Sequence, residues 1–337
     1  MDDTMKITIK EIAKLADVSI ATVSKVVNHK DQNISEETRQ RIWELIEEHH
    51  YVPNRIASSM ITKKTHSIGL IIPDITNPFF PEVARGVEDY ANAAGYHVVL
   101  CNSDNNPDKE ISYIAMLQEK MVDGIIFTSS GLRMHDSKGL LKFQIPVITV
   151  DRDIDNLKTQ GKITVDNVNG AYNGVSLLLS KGHKRILHLS GPLSSKPAED
   201  RRIGYQMALQ EYGVPYDEQL VYEGSYTTEW GYSGLKMAVE KQLAFDSIFC
   251  GNDLIAIGAM KALHELGIKV PEDVEIVGFD DIYIATIVTP NLTTIRQPNY
   301  LMGYKAAEML IELIKHPTKQ IEDVVLKTEL IIRESTK

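Results

Sequence analysis

The chain has 337 residues and a formal net charge of −10, with 43% hydrophobic and 24% charged residues. That is the composition of an ordinary globular protein with enough chain for two or three domains. No apolar run approaches the roughly 18 residues of a transmembrane helix, and the acidic, then amphipathic start does not suit a secretory signal.

The first elements are two short helices joined by a tight turn. Thr8 is placed to cap the first, and Glu11 completes a capping box. Ile12, Leu15 and Ala16 fall at helical spacing on one face. Asp17-Val18-Ser19 breaks the pattern, and Ser19 caps the second helix, with Val23, Val26 and Val27 on its inner face. Its outer face carries Thr22, Ser24, Lys25 and Asn28, short polar or cationic groups that suit phosphates and base edges. This predicts a helix-turn-helix with the second helix dressed for the major groove. The alternative is a helical pair that only packs.

Residues 1–65 hold ten Lys/Arg and ten Asp/Glu. The rest of the chain therefore carries the whole −10 and is predicted to stay off DNA. A neutral headpiece is expected to bind well only as a pair.

Ser35 opens a third helix with Ile42, Leu45 and Ile46 at helical spacing, ending near His49-His50. Tyr51-Val52-Pro53-Asn54 is a turn signal. Residues 55–65 read as a short helix and linker; the alternative is a disordered linker, since so short a helix is unstable alone. From Ser67 strands alternate with helices. Strand-like runs lie at 68–72, 97–101, 124–127 and 147–150, and helical runs at 80–94 and 109–120. A second series has strands at 185–189, 247–250 and 275–278, with helices near 170–181, 198–212, 229–241 and 254–266. This is a duplicated, doubly wound α/β plan with parallel sheets. Segments 299–315 and 324–332 are predicted to return and complete the two lobes. Cys101 and Cys250 end apolar runs and read as buried residues rather than a disulfide, which suits a reducing cytoplasm.

Ligands of two-lobed α/β folds bind at the carboxyl ends of the strands. The first strand is followed by Asn77-Pro78-Phe79-Phe80, with no G-x-G-x-x-G to mark a dinucleotide site. The second is followed by Asn105 and the fourth by Asp151-Arg152. In the second half, Arg201 opens a helix, Tyr226 follows a short strand, Asn252-Asp253 and Asp280-Asp281 follow others, and Gln297 follows the last crossover. Rings cover apolar sugar faces, carboxylates accept from hydroxyls, and Arg and Asn donate in fixed geometry. Each position also has a plain structural reading: Asp151-Arg152 as an ion pair, Phe79 and Phe80 as core, Asp280 as a cap, and Asn252-Asp253 as an N-cap. No nucleophile–base motif, phosphate loop or metal-ligand spacing occurs, so no enzyme, cofactor or metal is predicted.

The words Thr8-Ile9-Lys10-Glu11-Ile12-Ala13, Val18-Ser19, Ala21-Thr22-Val23-Ser24 and Val27-Asn28 resemble the headpiece of the lactose-repressor (LacI/GalR) family. The body is similar to the periplasmic-binding-protein-like fold which that family uses as its sensor. The resemblance implies a helix-turn-helix headpiece at 1–50 and a hinge helix and linker at 51–66. It implies an N-lobe at 67–166 and 296–326, and a C-lobe at 167–295 and 327–337. It places Thr8, Ser19, Thr22, Ser24 and Asn28 on the DNA-contacting side, with Ile20, Ala21 and Lys25 facing base edges. Lys25 replaces the commoner arginine. In the hinge it points to Asn54, Arg55, Ala57 and Met60, the last at the position of a minor-groove wedge that is usually leucine.

Asn77, Phe79, Phe80, Asn105, Asp151, Arg152, Arg201, Asn252, Asp280 and Gln297 resemble, type by type, the ligand shell of ribose-binding proteins. Tyr226 stands where phenylalanine is usual. The implied protein is a cytoplasmic, homodimeric repressor that binds double-stranded operator DNA and is released by a small ribose-like sugar. With no heptad extension after Ile332, a dimer is expected. The alternative is a catabolite-control regulator activated by a phosphorylated co-repressor protein, which the body also resembles. A secreted sugar-binding protein fits less well, given the headpiece.

Overall fold

The computed structural model describes residues 7–52, 64–130, 145–152 and 159–337. The chain divides into two compact units, Met1–Thr65 and His66–Lys337. The hinge residues Asn54, Arg55, Ala57 and Met60 lie outside the described residues.

In the first unit, α1 (Ile9–Leu15), α2 (Ile20–Val27) and α3 (Glu36–Glu48) pack around Ile12, Ala13, Ala16, Val23, Val26, Ile42, Ile46 and Tyr51. The capping box forms: Thr8 N donates to Glu11 Oε2 at 2.7 Å and Glu11 N to Thr8 Oγ1 at 3.4 Å. Ser19 and Ser35 cap α2 and α3 by accepting from Thr22 N and Thr38 N. Leu15 departs from expectation. It is 52% exposed, and Ala13 takes the inner position. The small Ala13 and Ala16 face the buried core between the helices.

The second unit contains two six-stranded sheets. The N-lobe sheet is ordered β11-β5-β4-β3-β1-β2 and the C-lobe sheet β12-β10-β9-β8-β6-β7. The first uses β1 (Ser67–Ile72), β2 (His97–Asn102), β3 (Gly124–Phe127), β4 (Val147–Val150), β5 (Gly161–Val165) and β11 (Val324–Leu326). The second uses β6 (Ile186–Ser190), β7 (Val221–Glu223), β8 (Ser247–Cys250), β9 (Glu275–Asp280), β10 (Thr293–Arg296) and β12 (Glu329–Ile331). All pairings are parallel except β10 with β12. The C-terminal segment thus gives one strand to each lobe. Strands β5 and β10 were not among the predicted ones. No helix among the described residues is long and apolar enough to cross a membrane.

The flanking helices are α4 (Phe79–Ala93), α5 (Pro107–Glu119), α6 (Asn167–Ser180), α7 (Lys196–Glu211), α8 (Thr228–Glu240), α9 (Asp253–Glu265) and α10 (Asn299–Lys315). Helix pairs meet at glycines. A Cβ on Gly303 of α10 would overlap the carbonyl of Val83 in α4, and one on Gly86 would overlap that of Tyr300. Gly204 against Val168 and Gly231 against Ile255 repeat the device in the C-lobe. Backbone oxygens cannot yield as side chains do. Gly303→Val is therefore expected to lower stability by about 3 kcal/mol or more. Urea titration checks this, and an unchanged midpoint would show that the helices can part freely.

Candidate functional site

The strand ends of the two sheets face each other across a narrow cavity lined by both lobes. From the N-lobe come Asn77, Phe79 and Phe80 at the start of α4, and Asp151 and Arg152 after β4. From the C-lobe come Pro197 and Arg201 of α7, Tyr226 after β7, Asn252 before α9, Asp280 at the end of β9, and Gln297 after β10. The sequence reading differs at two places. Pro197 lines the cavity unexpectedly, and Asn105 does not line it. Asn105 is exposed, and its Oδ1 lies 3.4 Å from Arg152 Nη1.

Local structure explains several of these placements. Asn77 Oδ1 accepts from Phe79 N at 3.1 Å, and Asn252 Oδ1 accepts from Ile255 N at 2.9 Å, so both amides also hold helix starts. Phe79 and Phe80 stack edge to face, with centroids 5.0 Å apart. Tyr226 lies over Gly191, where any Cβ would overlap its ring. Asp151 and Asp280 have φ of 64° and 113°, in a region that L-residues adopt at a cost. Neighbouring ion pairs hold that turn, since Asp281 meets Arg296 at 2.7 Å and Arg333 at 2.6 Å. Adjacent Asp280 and Asp281 therefore do different things, one facing the cavity and one anchoring the backbone.

The two guanidinium groups are buried and multiply held. Arg152 Nε lies 3.4 Å from Asp151 Oδ2, and its Nη1 donates to Ser130 O at 3.1 Å. Its guanidinium carbon sits 5.4 Å from the Tyr226 ring centroid and 5.8 Å from that of Phe80. Arg201 Nε donates to Asn167 Oδ1 at 2.9 Å, and its Nη1 to Gly251 O. It stacks 3.7 Å above Phe279 and lies 3.8 Å from Asp280.

Burial pushes the Asp280 carboxyl up to about 7, and Asp151 adds to the rise; Arg201 and a 2.6 Å hydrogen bond from Gln297 oppose it. Burial also raises Asp151, against Arg152 and Arg201. With both carboxylates ionised the four groups sum to zero charge. Gln297 Oε1 has no hydrogen-bond partner among the described residues. Such a cavity has fixed donors, acceptors and aromatic faces.

On the headpiece, Ile20, Ala21, Lys25 and Asn28 are exposed on α2, and Thr22 and Ser24 are half-buried. Part of the polar set serves the helix itself. Ser19 Oγ and Thr22 Oγ1 bond at 2.8 Å, and Asn28 Nδ2 donates to Ser24 O at 2.7 Å. Thr8 is exposed at the start of α1.

A helix-turn-helix and a two-lobed, sugar-sensor-like body on one chain define a ligand-responsive transcription regulator. Residues 8–54 match the family described as bacterial regulatory proteins, lacI family, and residues 65–334 match periplasmic binding proteins and sugar binding domain of LacI family. The chain belongs to the LacI family, and is a DNA-binding regulator rather than an enzyme. It is 40% identical to the transcriptional regulator RegA of Clostridium saccharobutylicum, over 98% of this chain and 100% of that one. It is 38% identical to the ribose operon repressor of Halalkalibacterium halodurans (98% and 97% covered) and 36% identical to catabolite control protein A of Priestia megaterium (99% and 100%). Among solved structures it resembles a LacI family regulator from Enterococcus faecium with bound ribose, with TM-score 0.72 and 32% identity over 80% of this chain and 98% of that one. It also resembles the lac repressor dimer bound to operator and an anti-inducer, with TM-score 0.85 and 25% identity over 98% and 99%.

Proposed function

We propose that this protein is a cytoplasmic homodimeric repressor that releases a pseudo-palindromic operator when a small neutral sugar, ribose or a close pentose, occupies the cavity. The observation that carries this reading is the cavity's lining. Two guanidinium groups and two carboxylates stand among aromatic rings, a set of donors, acceptors and apolar faces that suits vicinal hydroxyls on a sugar ring. The relatives named for ribose point the same way. Thr8, Ser19, Thr22, Ser24 and Asn28 would hold phosphates, Ile20, Ala21 and Lys25 would meet base edges, and Asn54, Arg55, Ala57 and Met60 would form the hinge. Sugar controls DNA only if it binds the operator-competent and released states unequally.

Calorimetry and thermal shift with D-ribose and a panel of pentoses and hexoses test the effector. D-Ribose should stabilise the protein in proportion to occupancy, and a larger shift with another sugar would reassign it. A gel shift tests the sign, because tighter operator binding with sugar would make the ligand a co-repressor. The second reading, a regulator activated by a phosphoprotein, rests on the likeness to catabolite control protein A. Absence of heat with every sugar tried would favour it.

The Asp280 carboxyl also predicts a pH dependence. A sugar hydroxyl donates to the ionised form, and that form is lost as pH falls through about 7. D-Ribose affinity should therefore fall as the solution is acidified, by up to about tenfold per unit below that point. Asp280→Asn should bind more weakly at pH 8 and show a flatter profile, and an equal slope in both proteins would refute the assignment.

A further inference from the structure

The fully buried carboxylate of Glu110 lies outside the cavity wall. It is in the first turns of α5, where acidic residues usually serve their own helix N-terminus, but Asn106 already does that by accepting from Asp108 N and Lys109 N. Glu110 Oε1 instead accepts from the backbone N–H of Ser130 at 2.5 Å, three residues past the end of β3. The peptide joining Ser129 to Ser130 is planar, so its N–H and the Ser129 C=O point in opposite directions. Its N–H meets Glu110, while the Ser129 carbonyl faces Arg152 Nη1 at 3.4 Å. The next carbonyl, of Ser130, accepts from the same nitrogen at 3.1 Å.

We infer that Glu110 is a positioning residue for the sensor: by pinning the N–H of this one peptide it aims the carbonyls that hold the Arg152 guanidinium at the cavity wall. The inference rests on the reading of the cavity as a sugar site. Without the pin the peptide loses the hydrogen bond that sets its N–H, and the two carbonyls that hold Arg152 between Phe80 and Tyr226 are aimed less firmly. Asn105 completes the cradle from the loop after β2. A residue that only filled space would not need an acceptor aimed at Ser130 N. Burial pushes the Glu110 carboxyl up to about 7, with hydrogen bonding to Ser130 and the Arg152 charge opposing the rise.

The test uses Glu110→Gln, which keeps an acceptor at the right reach, against Glu110→Leu, which removes it, and Glu110→Asp, which keeps the charge but shortens the arm. Phenylglyoxal labelling of Arg152 in the sugar-free full chain, read by mass spectrometry with Arg201 as internal control, reports the pin directly. Labelling should rise about tenfold in the leucine and aspartate variants and stay near wild type in the glutamine variant. D-Ribose affinity should fall about tenfold or more in the first two and less than about threefold in the third. Wild-type labelling of Arg152 in both the leucine and aspartate variants would overturn the inference, as would equal losses of affinity in all three. If the wild-type protein binds no sugar, the reading of the cavity fails, while the labelling still decides whether Glu110 positions Arg152.

Discussion

Arg201→Met is expected to abolish the response to sugar while leaving operator binding in place. Arg201 gathers four functions at one buried point: it ties α7 to Asn167, holds the Gly251 carbonyl after β8, stacks on Phe279 and faces Asp280. Methionine preserves much of the volume but none of the donors. Removing one member of a buried charge pair leaves the other uncompensated, a loss of about 3–5 kcal/mol. Part of that appears as reduced stability. The rest appears at the ligand, because Asp280, already at about 7, rises further without its cation and stops accepting from a sugar hydroxyl at neutral pH. A loss of sugar affinity of at least about 100-fold follows, since each 1.4 kcal/mol is a factor of ten. Calorimetry measures it. In a gel shift the variant should stay on operator at sugar concentrations that release the wild-type protein. Near-normal sugar affinity would place the ligand elsewhere.

The cavity was legible in the sequence because the fold imposes a simple rule, namely that polar residues just past a strand's carboxyl end face the cleft. Asn77, Asp151 and Asp280 follow it. Asn105 shows its limit. It also follows a strand, but with φ of 53° its side chain turns toward Arg152 instead of the open space. Asp104 beside it takes the same left-handed conformation, and a sequence does not announce such a pair. Pro197 escaped notice because proline in a first helical turn is explained by its fixed φ alone. Strand β10 is the polar run Thr-Thr-Ile-Arg, yet Thr293 and Thr294 are buried because Ser335, Thr336 and Asp253 satisfy their hydroxyls and amide. Those partners are remote in sequence, so periodicity could not find them. Glu110 is the extreme case: its local context reads as an ordinary acidic first turn, and its role depends on a peptide 20 residues away.

Ala21→Glu is expected to cost operator binding most among single changes on the headpiece. Ala21 is exposed on α2, one residue past Ile20, itself 47% exposed, and clear of the Val23 and Val26 core. Glutamate is a good helix former, so the fold should survive. What changes is electrostatic, since a carboxylate is driven toward the phosphates and base edges that this face would meet. The headpiece has little in reserve. Its charged residues balance, Asn28 and Ser19 are engaged in bonds along α2, and Lys25 is a point charge rather than a bidentate fork. In a dimer the penalty falls on both half-sites. Even about 2 kcal/mol at each amounts to roughly 1,000-fold in affinity. A gel shift at fixed salt on an operator selected from random sequence measures it, alongside the sugar-induced thermal shift, which should be unchanged. Lys25→Ala should lose less and flatten the salt dependence of binding. Operator binding by Ala21→Glu within threefold of wild type would mean that another face of this unit meets DNA.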